Sequence, residues 1–479
     1  MDGEANGAGG TTILMKRFLL FYLLILLHAP AFAVLPDKLL EALNYAGIPQ
    51  DSVSIYVQAV DADTPNISLN ADKAMHPASV MKLVTTYAAL ETLGPAYRWK
   101  TEVYRDGEVR HGVLHGNLII KGYGDPHFQA HDFWRLLQRL QQLGIRSIQG
   151  NLIIDKTYFA PPPIEAPFDE EIWRAYNAKP SAFLVDGRKT SLQFEVVDGK
   201  VHISQEFALP EVNIISSLTL REGECGDWRS EMDYAVTPNK HSVDVTFKGT
   251  YSAQCETRYL ELSLLNDEMY AFYTFKKLWS ELGGKFRGKL LVQALPENAS
   301  KICEQSSLPL SEVIRDINKW SNNLMARQLL LTLAAEDNQW SATEAHGAEV
   351  IKRKFSQLQL PSDDVVIDNG SGLSRIERIS AAQIGRMLVK AYHRTVMPEL
   401  MSSMPILGVD GTTKTRMETS EAQSQVHLKT GSINGVSTVA GYVLDQHQRR
   451  HIVVFMVNHP NAFKTKLMQD MLIEWVHKQ

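Results

Sequence analysis

The stretch Pro77-Ala78-Ser79-Val80-Met81-Lys82 decides how the rest of this chain is read. It leads into an apolar run over residues 80–93. Val80, Leu83, Val84, Tyr87, Ala88 and Leu90 make that run hydrophobic nearly all round, so it is expected to be a helix lying in a core. Positions three apart share a helix face, which points Ser79 and Lys82 the same way. Both stand near the N-terminus of the helix, where backbone N–H groups are still free. A serine hydroxyl is a poor nucleophile until a base takes its proton. A desolvated lysine one turn away, with its pKa lowered, can be that base. Taken alone, the pair reads more readily as a cap serine beside a lysine that reaches out to solvent, because Ser-x-x-Lys occurs by chance in many chains.

Two later stretches decide between these readings. Ser321-Asn322-Asn323 lies between two apolar helical runs. In the first, Leu310, Val313, Ile314 and Ile317 share a face and Ser311 is the expected cap; the second covers residues 324–334. Lys429-Thr430-Gly431-Ser432 opens a strand-rich C-terminal segment. Ser-x-x-Lys, then Ser-x-Asn, then Lys-Thr-Gly is the ordered signature of serine penicillin-recognising enzymes. Singly, Ser321 and Asn323 read as helix caps, Lys429 as a solvated strand end and Gly431 as a bulge. Their order and setting together argue for function.

The 479 residues, 44% hydrophobic and 22% charged, suit a globular chain of two or three domains. A formal net charge of -5 argues against a general nucleic-acid binder. There is no phosphate-binding loop, zinc spacing or dinucleotide fingerprint, so no cofactor is implied. Lys16 and Arg17, the apolar residues 18–27 and Ala31-Phe32-Ala33 form an export signal, with Met15 as a second candidate start. Cleavage is expected after Ala33, which would leave a periplasmic mature chain from Val34. An exported chain can keep a disulfide. Of Cys225, Cys255 and Cys303, the first two flank one β-rich segment and are the expected pair.

Val53, Ile55, Val57 and Ala59 alternate as a strand, and residues 67–69 can return as a second. Residues 101–104 and 109–114 are expected to pair around Arg105-Asp106-Gly107. An internal echo follows. Gly116-Asn117-Leu118-Ile119-Ile120 recurs as Gly150-Asn151-Leu152-Ile153-Ile154 and, more loosely, as Gly288-Lys289-Leu290-Leu291-Val292. Amphipathic helices precede the second copy (Phe133, Leu136, Leu137, Leu140) and the third (Ala271, Phe275, Leu278). These copies read as sibling strands of one sheet, interrupted by the short strands of residues 181–261. Residues 427–430, 438–444 and 452–458 are three further strands. A closing helix is expected to pack Phe463, Leu467, Met471, Leu472 and Trp475. The organisation predicted is 34–98 with 305–479, an α/β insert at 99–180 with 262–304, and a small β domain at 181–261 nested within it.

The three motifs, their order and the insertion of some 200 residues resemble class C, low-molecular-mass penicillin-binding proteins of the D-Ala-D-Ala carboxypeptidase/endopeptidase type. Supporting stretches are Gly122-Tyr123-Gly124-Asp125-Pro126, Tyr176-Asn177-Ala178, Asn369-Gly370-Ser371-Gly372-Leu373-Ser374-Arg375 and Ser432-Ile433-Asn434-Gly435-Val436. Two places depart from the pattern. His127-Phe128 stands where Thr-Leu is usual, and Asn369 where an aspartate often precedes Gly-Ser-Gly.

The resemblance implies an α+β penicillin-binding fold, a five-stranded antiparallel sheet flanked by helices, carrying two inserted domains. It implies a DD-peptidase acting on peptidoglycan and acylated by β-lactam antibiotics. Ser79 would be the nucleophile, Lys82 the base, Ser321 a proton relay and Asn323 a ligand to Lys82 and substrate. Lys429 and Thr430 would hold the terminal carboxylate, Gly431 would admit the substrate backbone, and Ser432 would lend an oxyanion N–H beside that of Ser79. Asp169, Glu170 and Glu171 are a candidate site for a stem-peptide amine. The inserted residues offer surface for peripheral membrane or wall-protein contacts. A serine β-lactamase and a non-catalytic wall-binding protein are the competing functions.

Overall fold

A computed structural model describes residues 36–160, 167–337 and 342–479. The expected export signal lies outside the described residues. Among those described, no helix is long and apolar enough to cross a membrane.

The catalytic motifs sit around one five-stranded antiparallel sheet. Its order is Ile67–Leu69, Val53–Ala59, Arg450–Asn458, Val436–Leu444, Val426–Ile433. It is the sheet that the resemblance implied. Its central strands are buried on both faces, which explains their near-continuous apolar sequence. Ile452, Val454 and Met456 join the core under the helices Met81–Leu93, Leu310–Lys319, Asn323–Glu336 and Ala381–Tyr392. Val453, Phe455 and Val457 point the other way, into a core closed by the helices Asp37–Tyr45 and Lys466–His477. The period of two along a strand puts neighbours on opposite faces, so one apolar strand feeds two cores.

The echoed strands are indeed siblings. Leu118–Gly122, Leu152–Asp155 and Leu290–Val292 lie parallel and in step, Leu118 beside Leu152 beside Leu290. The repeated residues explain the register. Asp106 accepts from the Asn117 N–H (2.6 Å), Asn117 Oδ1 from the Asn151 N–H (2.7 Å) and Asn151 Oδ1 from the Lys289 N–H (2.9 Å). A Cβ on Gly150 would lie 2.3 Å from the Gly116 carbonyl oxygen, so the strand openings touch backbone to backbone. The helices Ala130–Gln142 and Asp267–Glu281 bury the expected apolar faces, and they share one core with strands Thr190–Val197 and Val243–Ser252. Cys225 and Cys255 are bonded. Closing a loop of 30 residues contributes about 3–4 kcal/mol in the chain-entropy model. Cys303 is free and half-buried.

Three local expectations are corrected. The segments expected to pair around Arg105-Asp106-Gly107 do not. Residues 108–115 close their own hairpin, Glu108–Arg110 on Val113–His115, through a turn in which His111 and Gly112 both have positive φ. Arg98–Arg105 instead pairs with Leu118–Gly122 and with Ser300–Pro309, a strand whose polar sequence carried no clear alternation. Ser311 caps nothing, because Pro309 precedes the helix and no side chain bonds to its first turn. At the closing helix Leu472 is buried as expected and Trp475 packs against the core, but Met468, Ile473 and Val476 fill the rest of the buried stripe, whereas Phe463, just before the helix, and Leu467 face solvent. Both stripes have helical spacing, and only the position of the sheet selects one.

Candidate active site

Ser79 sits in the tight turn Ala78–Val80 that leads into Met81–Leu93. The turn is held from several sides. The His76 ring accepts from the Ala78 N–H at Nδ1 (3.0 Å) and meets the Ser374 carbonyl at Nε2 (2.8 Å). These bonds select the tautomer protonated at Nε2. Asn458 accepts from the His76 N–H (2.8 Å), and Thr438 donates to the Pro77 carbonyl (2.8 Å). Ala78 has φ +45°, a conformation that an L-residue adopts only where its surroundings enforce it.

Lys82 is fully buried one turn along. Its Nζ is 3.0 Å from Ser79 Oγ and 2.6 Å from Asn323 Oδ1, and it also bonds the Ser371 carbonyl. Burial pushes its pKa well down. The Lys429 cation pushes the same way and the Glu377 carboxylate opposes it. A neutral amine here can donate to Asn323 and Ser371 and turn its lone pair to the Ser79 hydroxyl.

Ser321 and Asn323 reach the cleft because their neighbour does the capping. Asn322 accepts from the Met325 N–H (3.0 Å) and caps the helix Asn323–Glu336. Ser321 is held at φ +59° and takes a bond from Lys429 Nζ at 3.0 Å. Lys429 is also fully buried, donates to the Thr430 carbonyl (2.6 Å) and has its pKa lowered by burial to about 7.

Lys429 lies on Val426–Ile433, the edge strand of the sheet. That strand runs against the Ser79 turn: a Cβ on Gly431 would lie 2.8 Å from the Ser79 nitrogen. Ser432 is exposed on the same strand. The edge leaves backbone groups available to an extended peptide. Thr430 Oγ1 meets Thr412 Oγ1 at 2.9 Å, on a loop tied down by the Lys319–Asp410 ion pair (2.5 Å).

The structure therefore gathers Ser79, Lys82, Ser321, Asn323, Lys429, Thr430, Gly431 and Ser432. The acidic stretch stands apart from this cluster. Asp169 is occupied by the Tyr176 hydroxyl (2.9 Å) and the Asn177 amide (2.8 Å), Glu171 meets the Tyr234 hydroxyl (3.2 Å), and Glu170 is exposed. It is linked to the cleft through Phe168, whose ring lies 3.9 Å from the Arg375 guanidinium. His76, Thr412, Glu377 and Asn458 escaped the sequence reading, and Ser371 entered it only within a supporting stretch, without a role. Each acts through a backbone group or a distant segment, and no spacing signals such contacts.

Fold and site together define a serine acyl-transfer enzyme of the penicillin-recognising class. Residues 35–479 match the D-Ala-D-Ala carboxypeptidase 3 (S13) family, and the chain belongs to it. It is a serine DD-peptidase, a hydrolase. The chain is 24% identical over 400 residues to D-alanyl-D-alanine carboxypeptidase DacB of Haemophilus influenzae, covering 81% of each. It is 26% identical over 398 residues to the D-alanyl-D-alanine carboxypeptidase of Actinomadura sp. strain R39, covering 78% of this chain and 72% of that one. The crystal structure of penicillin binding protein 4 from Haemophilus influenzae superposes with a TM-score of 0.75 at 21% identity, over 91% of this chain and 99% of that one.

Proposed function

We propose that this enzyme removes the terminal D-Ala from peptidoglycan stem peptides and also cuts D-Ala–diaminoacid cross-links. Both reactions are one acyl transfer with different leaving amines. Ser79 attacks the carbonyl of the penultimate D-Ala while Lys82, as the neutral amine, takes its proton. The N–H groups of Ser79 and Ser432 receive the developing oxyanion; losing one such donor costs about 3 kcal/mol of transition-state stabilisation. Ser321 passes the proton to the leaving amine. Asn323 holds Lys82 and the substrate amide. Lys429 and Thr430 bind the terminal carboxylate, and the side chain missing at Gly431 lets the strand lie against the Ser79 turn. Water then releases the acyl group, with Lys82 again the base.

The observation that carries this reading is the Lys82 amine, buried and 3.0 Å from Ser79 Oγ. The catalytic unit is residues 34–98 with 305–479, and the rest is inserted. The enzyme works in the periplasm, and β-lactams acylate Ser79.

Intact-mass measurement after brief exposure to benzylpenicillin tests this. The expected result is a long-lived adduct of one drug molecule. An adduct that disappears as the drug is consumed would instead indicate a serine β-lactamase. No adduct would leave a non-catalytic wall-binding protein.

The acidic stretch is proposed to recognise the stem amine from the Phe168–Arg375 side of the cleft. Changing Asp169→Asn, Glu170→Gln and Glu171→Gln together should raise KM for amine-bearing stems about tenfold, in line with one lost charged contact. Unchanged cleavage of amine-bearing relative to acetylated stems would remove the idea.

A further inference from the structure

Glu377 follows the Gly-Ser-Gly loop in the charged run Arg375-Ile376-Glu377-Arg378, and its side chain has no exposure. Its Oε1 accepts from the N–H groups of Gly370 (2.9 Å) and Asn369 (3.2 Å). Its Oε2 is buried with no hydrogen-bond partner among the described residues. The loop it holds touches both reacting groups. The Ser371 carbonyl bonds Lys82, and Gly372 lies so close to the turn that a Cβ would be 2.0 Å from the Ala78 carbonyl oxygen and 2.7 Å from the Ser79 nitrogen. Thr85 donates to the Gly370 carbonyl (2.7 Å), so the loop is bound to the Ser79 helix at a second place.

We propose that Glu377 is a positioning residue for the reaction: from beneath the loop it presses residues 369–372 onto Ser79 and Lys82 and sets a carboxyl charge opposite the Lys82 amine. The inference rests on the DD-peptidase reading of this site.

The core is a costly place for an ionisable side chain, because an unpaired carboxylate is strongly disfavoured there. Burial pushes the Glu377 carboxyl up to about 7. Asp368 raises it, while the two loop amides and Lys82 lower it. Burial lowers the Lys82 pKa most, the Lys429 cation lowers it further and the Glu377 carboxylate raises it. His76, on the segment before Ser79, has its pKa lowered by burial and by Arg378 and Arg375. An ionised Glu377 favours the ammonium form of Lys82, and a protonated Glu377 favours the free amine that the reaction needs. In this chain the loop itself offers Asn369, engaged with Ser371 and Leu373, and the carboxyl comes from residue 377.

The test is the pH profile of acylation of the full chain by benzylpenicillin, for wild type, Glu377→Gln and Glu377→Asp. Gln keeps the acceptor for both amides and removes the charge. Its acid limb is expected to move to lower pH by about one unit, the usual effect of deleting an opposite charge nearby. Asp keeps the charge on a shorter stem, so its limb should stay in place while its rate falls at every pH. Coincident acid limbs for Gln and wild type would overturn the proposal, even with a lower rate, because a purely structural peg moves no limb. If Glu377→Gln fails to fold, the infrared band of the protonated carboxyl is followed against pH in wild type and Lys82→Ala. Coupling is reciprocal, so the midpoint should rise in Lys82→Ala, and equal midpoints would overturn the proposal. Absence of any adduct on the wild type would overturn the site reading and this inference with it.

Discussion

Ser79→Ala is expected to form no covalent adduct with benzylpenicillin, and Lys82→Ala is expected to be acylated about 10³- to 10⁴-fold more slowly than the wild type. Alanine at 79 leaves no atom to carry the acyl group. Lys82→Ala leaves the hydroxyl in place and removes its base. No histidine or carboxylate bonds to Ser79 among the described residues; its side-chain partner there is Lys82 Nζ at 3.0 Å. The effects should not add, because nucleophile and base act as one unit, so the double variant should resemble Ser79→Ala. The surviving wild-type rate should fall as pH drops through the depressed pKa of Lys82, whose lowering comes first from burial and then from Lys429. Intact mass over time, with thermal melts to show that both variants fold, reads all of this. A Lys82→Ala protein acylated at the wild-type rate would remove Lys82 as the base.

Gly372→Ala carries the second large effect. Gly372 has φ +86°, so alanine there is strained by about 1 kcal/mol or more before any contact is considered. The contact is worse: the new methyl would overlap the Ala78 carbonyl, whose own backbone is already at positive φ. Neither side has a flexible side chain to move aside, so loop and turn must separate. Because Ser371 is bonded to Lys82, the separation displaces the base relative to the nucleophile. A misplacement of this kind costs on the order of 100-fold in rate. Gly372→Ala is therefore expected to lose about 100-fold in acylation and to melt several degrees lower. Gly283→Ala serves as control. It has φ +78° with nothing within 4 Å of a Cβ, so it should show the backbone strain alone and acylate normally. Equal acylation by the two variants would show that the loop is not what holds Ser79 in place.

The Glu377 proposal and the Gly372 prediction concern one device. A loop whose sequence is mostly glycine and serine carries no stiffness of its own, so its position has to be imposed. Glu377 holds it from beneath, Thr85 from the helix, and Gly372 allows it to come within backbone contact of the nucleophile's turn.

Much of this was legible in the amino-acid sequence. Ser79 and Lys82 are three apart on an apolar helix, and a helix has one way to place such residues. The five-stranded sheet came from the resemblance that the three motifs carry. The Gly-Asn-Leu-Ile-Ile echoes declared sibling strands of one sheet because each repeated residue has a local job: the glycine admits its neighbour's backbone and the asparagine bridges to the next strand. Tertiary structure decided the rest. Residues 98–105 could pair with any strand of suitable length, and took a polar partner some 200 positions away once residues 108–115 had closed on themselves. Two stripes of the last helix had equal claims to the core, and the sheet chose the one with Met468 and Ile473. Asn322 rather than Ser321 became the cap, which turned Ser321 toward Lys429. Glu377 carried no signal in the sequence, and only the folded loop above it shows its partners. Sequence pattern determines what a segment can form by itself; which backbone carbonyl or buried charge it meets depends on chain far away, and that is settled only when the cores close.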